Sequence, residues 1–171
     1  PGNSTMYVGL YRRSVGTMTT NLLNTAGRID LAKTSPEFFE AMMTLSSAAN
    51  RGVEPEIGEL IKIRASQLNH CAFCLDMHLK DARRIGVDEQ KLDLLAAWRE
   101  VQELYTERER AALDLAEAIT DLGDGHVPDA VYQRAAAVFT EAELAQVIAM
   151  AVTINSWNRI NVSVRTQPPA R

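Results

Sequence analysis

Cysteine occurs only twice in this chain of 171 residues, which excludes a disulfide-braced secreted scaffold. Basic residues are not in excess either: 18 Lys and Arg stand against 22 Asp and Glu, a net charge of −4. With no broad cationic field, neither nucleic acid nor an anionic membrane surface is an expected partner. Arg12-Arg13 and Arg83-Arg84 are the only adjacent arginine pairs. Long apolar runs are missing too. The most continuous one, Ala145 to Ser156, is interrupted by Gln146, Thr153 and Asn155 and falls short of the roughly 20 residues that span a bilayer. It reads as a buried core helix. No hydrophobic segment or small-residue cleavage site follows Arg12-Arg13, so no signal peptide is expected. Sustained alternation of apolar and polar residues, the mark of strands, is absent as well. What remains is 46% hydrophobic, enough for a real core, and the expectation is an all-α cytoplasmic protein.

Residues 1–27 read as an N-terminal extension, punctuated by Gly2, Gly9 and Gly16, with Met18 a candidate natural start. Residues 28–171 read as one helical domain, opened by a short ordered strap at Arg28 to Leu31. Ser35 can cap a helix that has Pro36 at its first position, where the missing N–H costs nothing. Phe38, Met42, Leu45 and Ala49 then form an apolar stripe. Pro55 starts a second helix, with Ile57, Leu60, Ile61, Ile63 and Leu68 inward and an end near Gln67. Asn69 is the expected cap of the next helix, which should stop at Gly86 with Arg83 and Arg84 against its carbonyl end. Asp88 caps another segment, whose Leu92, Leu95, Ala96 and Val101 face a core. Thr106 to Glu109 and Thr140 to Glu143 are capping boxes, separated by a loop from Asp121 to Pro128. The chain also echoes itself. Pro36 and Pro128 each open a short amphipathic helix, followed by a long apolar one reaching Asn69 or Asn155 and then another helical segment. That pattern is consistent with an internally duplicated unit.

The chemistry concentrates at Cys71 to His78. The two thiols are three residues apart, and His78 lies one helical turn beyond Cys74, on the same face. A helix terminus stabilises negative charge near both sulfurs, and His78 supplies a base. Glu59 can orient that base if the helices on either side of Asn69 are antiparallel. The helix terminus alone favours Cys71 as the more acidic thiol, whereas the histidine favours Cys74. We assign attack to Cys74, because peroxide cleavage also needs a proton for the leaving oxygen. Cys71 then closes a disulfide on the resulting sulfenic acid. The motif should sit in a partly closed cleft. Other readings stay open: two buried packing thiols, a redox switch without turnover, or zinc held by Cys71, Cys74, His78 and either Glu59 or His70. The chain has no second CxxC knuckle. His70 is a candidate auxiliary proton carrier. Asp76 reads as a surface acid and His126 as an exposed loop residue.

The run ELIKIRASQLNHCAFCLDMH, Glu59 to His78, closely resembles the core of the alkylhydroperoxidase AhpD-like proteins, within the wider carboxymuconolactone decarboxylase group. So do LLAAWRE at Leu94 to Glu100 and NSWNRI at Asn155 to Ile160, and the likeness spans roughly Arg28 to Pro169. The resemblance implies an all-helical fold assembling as trimers or as hexamers made from them. It implies a dithiol site with Cys74 attacking peroxide, Cys71 resolving, and His78 with Glu59 as proton relay. No flavin, haem or nicotinamide motif appears in the sequence, so no tightly bound cofactor is expected. The implied partners are a small hydroperoxide and an external dithiol donor, a lipoylated protein in the best-known members. One position departs from the pattern: the histidine that those enzymes carry just before the second cysteine is Phe73 here. The decarboxylase branch generally lacks the thiol pair, so the pair argues against lactone decarboxylation. Apolar residues such as Trp98, Trp157 and the Leu22-Leu23 pair are the candidates for subunit contacts.

Overall fold

The computed structural model describes residues 27–101 and 103–170. Most of the N-terminal extension, Leu22 and Leu23 included, lies outside them. The described residues form α1 (Leu31–Thr34), α2 (Pro36–Ala49), α3 (Pro55–Leu68), α4 (Ala72–Ile85) and α5 (Glu89–Leu94). A 3-10 segment (Leu95–Glu100), α6 (Glu107–Thr120), α7 (Asp129–Val138) and α8 (Glu141–Val164) complete them. None of the described residues is in a strand. No helix among them is long and apolar enough to cross a membrane.

Local chemistry sets most boundaries. Pro36 and Pro55 occupy first-turn positions in α2 and α3. Both capping boxes form: Thr106 and Thr140 each accept from the amide three residues on, and Glu109 and Glu143 accept in return from the cap amides. Asp88 caps α5 by accepting from the Gln90 and Lys91 amides. Gly86 ends α4 in the left-handed region at φ 85°, a conformation that costs a residue with a Cβ. The strap before α1 is held where the Arg28 guanidinium donates to the Ser163 carbonyl near the end of α8.

α3 is the central element. Its Ile57, Ile61 and Ala65 join one core with Cys71, Phe73, Cys74, Met77, Leu115, Val147 and Trp157. Leu60 and Ile63 join a second core with Ala82, Leu92, Leu95, Trp98 and Leu113. Buried from two sides, α3 also takes Glu59, Lys62 and Ser66 out of water. Groups buried in this way require partners.

Several expectations are corrected. Half of the α2 stripe faces inward as expected: Met42 and Ala49 are buried, but Ser46 joins them, Phe39 and Met43 pack against the core, and Phe38 is 46% and Leu45 41% exposed. The cause is Trp157, whose indole N–H donates to Ser46 Oγ at 2.7 Å and whose ring meets Phe39 edge-on at 5.5 Å. Trp157 and Trp98 are thus core residues, not subunit contacts. The apolar side chains that face outward are instead Phe38, Leu45, Val152 and Val162, among others. Ser35 occupies its cap position without a side-chain hydrogen bond, and Ala96 is exposed. The echo between halves breaks at Asn155, because α8 runs unbroken through it to Val164.

Candidate functional site

α3 and α4 form a hairpin across a short turn at Asn69 to Cys71. Asn69 terminates α3, and Cys71, not Asn69, is the N-cap of α4. His70 takes a positive φ of 53° in this turn and is exposed. Cys71 Sγ accepts from the Cys74 amide at 3.4 Å, the position a serine or aspartate oxygen takes at other helix starts. Each sulfur is therefore two positions closer to the helix terminus than an Asn69 cap would put it. Both thiols are reduced and buried, Cys71 2% and Cys74 1% exposed.

A hydrogen bond from the Cys74 thiol draws the Cys71 pKa down, outweighing burial. The same bond, together with burial, pushes Cys74 up. In the resting pair the first negative charge belongs on Cys71, with the Cys74 proton lying between the sulfurs. This counts against Cys74 as the resting thiolate.

The hairpin register brings Glu59 to His78, nineteen residues away, with Oε2 3.0 Å from Nδ1. Glu59 Oε1 accepts from buried Lys62 Nζ at 2.6 Å, and Lys62 also donates to Asn50 Oδ1 at 3.3 Å. Burial pushes the Glu59 pKa up, but the charges and hydrogen bonds of Lys62 and His78 more than offset it and bring it to about 2. An ionised carboxylate can only accept, so the hydrogen in the His78–Glu59 bond sits on Nδ1 and Nε2 is the basic ring atom.

Asp81, one turn beyond His78, completes a cluster of donor atoms within 4.8 Å with Glu59 and His78. Burial and then the Glu59 charge raise its pKa. This cluster leaves out both cysteines, unlike the zinc set considered above. Two of its carboxylates already carry protein cations, Lys62 on Glu59 and Arg84 on Asp81. A salt-bridged proton site fits this donor set better than a metal cradle.

A cleft of about 290 Å³ reaches Glu59 and Lys62 from the side of Asn50, Arg51, Pro55 and Met150. Neither cysteine is in its walls. Phe73, at the position where the resemblance calls for a histidine, is buried in the apolar core. Asp76 pairs with Lys80 at 2.6 Å, and His126 is exposed in its loop.

Sequence reasoning missed the polar face of α8. Asn69 Nδ2 donates to Asn155 Oδ1 at 2.8 Å and to Asn158 Oδ1 at 3.0 Å. With its oxygen so engaged, the Asn158 amide nitrogen donates to Ser66 Oγ at 3.0 Å, and Asn161 Nδ2 reaches Cys74 Sγ at 3.6 Å. The usable signal was the spacing of Asn155, Asn158 and Asn161, which puts three amides on one face of an otherwise apolar helix.

The carboxymuconolactone decarboxylase family matches residues 36–118, a span that contains Glu59, Lys62, both cysteines and His78. YdfG of Bacillus subtilis (strain 168), an uncharacterized protein, is 40% identical over 142 residues, covering 80% of this chain and 93% of its own. A crystal structure of an Agrobacterium tumefaciens protein of unknown function, with a suggested antioxidant-defence AhpD role, is 41% identical. It has a TM-score of 0.80 and covers 84% of this chain and 99% of its own. A Ralstonia eutropha JMP134 peroxidase-related protein with the alkylhydroperoxidase AhpD core shares the fold at 19% identity and a TM-score of 0.73, over 99% of this chain and 86% of its own. On these matches the chain belongs to the carboxymuconolactone decarboxylase family, as an AhpD-like member of it.

Proposed function

We propose that this protein is a dithiol peroxidase that reduces hydrogen peroxide or small organic hydroperoxides. The observation that carries this reading is the buried Glu59–His78 pair set one turn beyond a reduced CxxC at a helix start. Before attack, the proton between the sulfurs moves from Cys74 to Cys71, which leaves the charge of the pair unchanged. Cys74 Sγ then attacks the terminal peroxide oxygen. The S–O bond forms as the O–O bond breaks. His78 Nε2, which took up the proton released when the thiol pair ionised, gives it to the leaving oxygen, which departs as alcohol or water. Glu59, fixed as an anion by Lys62, orients His78; a carboxyl near 2 is not itself a proton carrier at neutral pH. Cys71 Sγ attacks the sulfenic acid on Cys74, the S–S bond forms, and water leaves. An external dithiol, such as a lipoyl group on a partner protein, reopens the pair by two exchange steps and becomes a disulfide itself.

His70 is exposed in the turn, and the scheme gives it no role. Trimers, or hexamers built from two of them, are supported by the outward Phe38, Leu45, Val152 and Val162. The near-complete burial of both thiols favours one second reading, a redox sensor that oxidises reversibly without turnover.

Stopped-flow peroxide consumption with dihydrolipoamide, combined with mass mapping of the thiols, tests the proposal. Multiple turnovers are expected in the wild type. Cys71→Ser should give one oxidation event that stops at Cys74 sulfenic and then sulfinic acid. Oxidation of both thiols without turnover would leave the sensor. Modification confined to Cys71 would reverse the assignment of the attacking sulfur.

A further inference from the structure

The resting pair poses a question of choice, since one proton and one negative charge are shared between two sulfurs, and the N-cap site favours the charge on Cys71. The group best placed to shift it lies on another helix. Asn161, at the C-terminal end of α8, is buried, and its Nδ2 stands 3.6 Å from Cys74 Sγ. The same nitrogen donates to the Trp157 carbonyl one turn back at 2.9 Å, which fixes the amide with its N–H groups toward the sulfur. An amide nitrogen can only donate, and a thiolate or sulfenate is a far better acceptor than a thiol.

We propose that Asn161 selects Cys74 as the attacking sulfur, by donating an amide hydrogen to the anionic form of Cys74 and, after attack, to its sulfenate. The inference rests on the dithiol reading above and adds a residue outside the CxxC helix to the reaction. Asn158 acts alongside without discriminating, because its amide favours the charged form of both thiols. Its orientation is fixed by Asn69 on its oxygen and Ser66 on its nitrogen. Asn161 is different in that its sulfur contact is to Cys74. The device also explains why a polar face persists on the apolar helix α8: a buried amide donor is worth its desolvation only where it meets a strong acceptor.

The test is the alkylation rate of each thiol under limiting iodoacetamide, read by peptide mass spectrometry on the full-length reduced protein, for wild type and Asn161→Leu. Loss of one hydrogen bond to a charged acceptor should slow alkylation of Cys74 by roughly tenfold or more. The rate at Cys71 should be unchanged or raised. A purely structural role would alter access to the whole pair, so a fall by the same factor at both cysteines overturns the proposal, as does no change at either. Should the leucine variant lose its helical circular dichroism, the smaller Asn161→Ala, which also offers no hydrogen to the sulfur, reads the same ratio. Alkylation needs no peroxide. A wild type that fails to turn over peroxide would sink the peroxidase reading while leaving this ratio to be judged on its own.

Discussion

Glu59 should make the fold acid-sensitive in a way one substitution can isolate. Its pKa is about 2 in the folded protein, against 4.5 in the absence of the fold. With a depressed folded-state pKa, the ionised form contributes stability that is fully present above about pH 4.5 and is lost as the pH falls toward 2. At one factor of ten per pH unit, the difference converts to roughly 3 kcal/mol. That is a large share of the roughly 5–15 kcal/mol that holds an ordinary domain together. The assay is urea denaturation, followed by helical circular dichroism, at intervals from pH 7 to pH 2.5, for wild type and Glu59→Gln. The glutamine leaves Lys62 buried beside a neutral partner, so the variant starts less stable at pH 7. The informative quantity is therefore the change with pH. Wild type should lose roughly 2–3 kcal/mol more than the variant between pH 5 and the acid limit. Parallel pH profiles would refute the reasoning, because they would mean that Lys62 and His78 do not hold the carboxyl down.

Lys62→Met removes one member of a buried pair and should cost roughly 3–5 kcal/mol by denaturation, with Lys62→Met/Glu59→Gln recovering part of it. His78→Gln should slow the first peroxide step more than Glu59→Gln does in single-turnover kinetics, because the imidazole acts directly and the carboxylate through it. Ser46→Ala leaves the buried Trp157 N–H without its acceptor and should cost about 1–3 kcal/mol of unfolding free energy. Sedimentation at micromolar concentration should show an assembly larger than a monomer. Phe38→Glu should weaken it without changing the helical spectrum, and a wild-type monomer would remove the trimer-based proposal.

Helix boundaries were legible because their chemistry is local. A threonine and a glutamate three residues apart satisfy each other's backbone whatever lies around them, so both capping boxes could be read directly, as could Gly86 at the end of α4. The placing of Cys71, Cys74 and His78 on one helix start followed from spacing alone, and a two-helix hairpin was enough to anticipate Glu59 beside His78. The cap of α4 was misread by two residues, because a sulfur rather than the expected asparagine side chain took the position.

The rest depended on which helices meet. The stripe read for α2 from sequence was Phe38, Met42, Leu45 and Ala49, of which Met42 and Ala49 are buried and Phe38 and Leu45 are exposed. Trp157, 111 residues away, set the inward face by requiring an acceptor that Ser46 provides and by offering a ring to Phe39. Lys62 looked like one more residue of a long helix until burial made a cation beside Glu59 the condition for keeping that carboxylate ionised. The amides of α8 could not be connected to the thiols from spacing, since Asn161 reaches Cys74 across 87 residues of chain. The sequence by itself determined the helices, most of their ends and the grouping of the candidate site residues on one helix start, because those rest on contacts within one or two turns. Only the tertiary structure decided the partners of the buried charges and the environment of each sulfur, because desolvation and hydrogen bonding there are set by side chains brought together from distant helices.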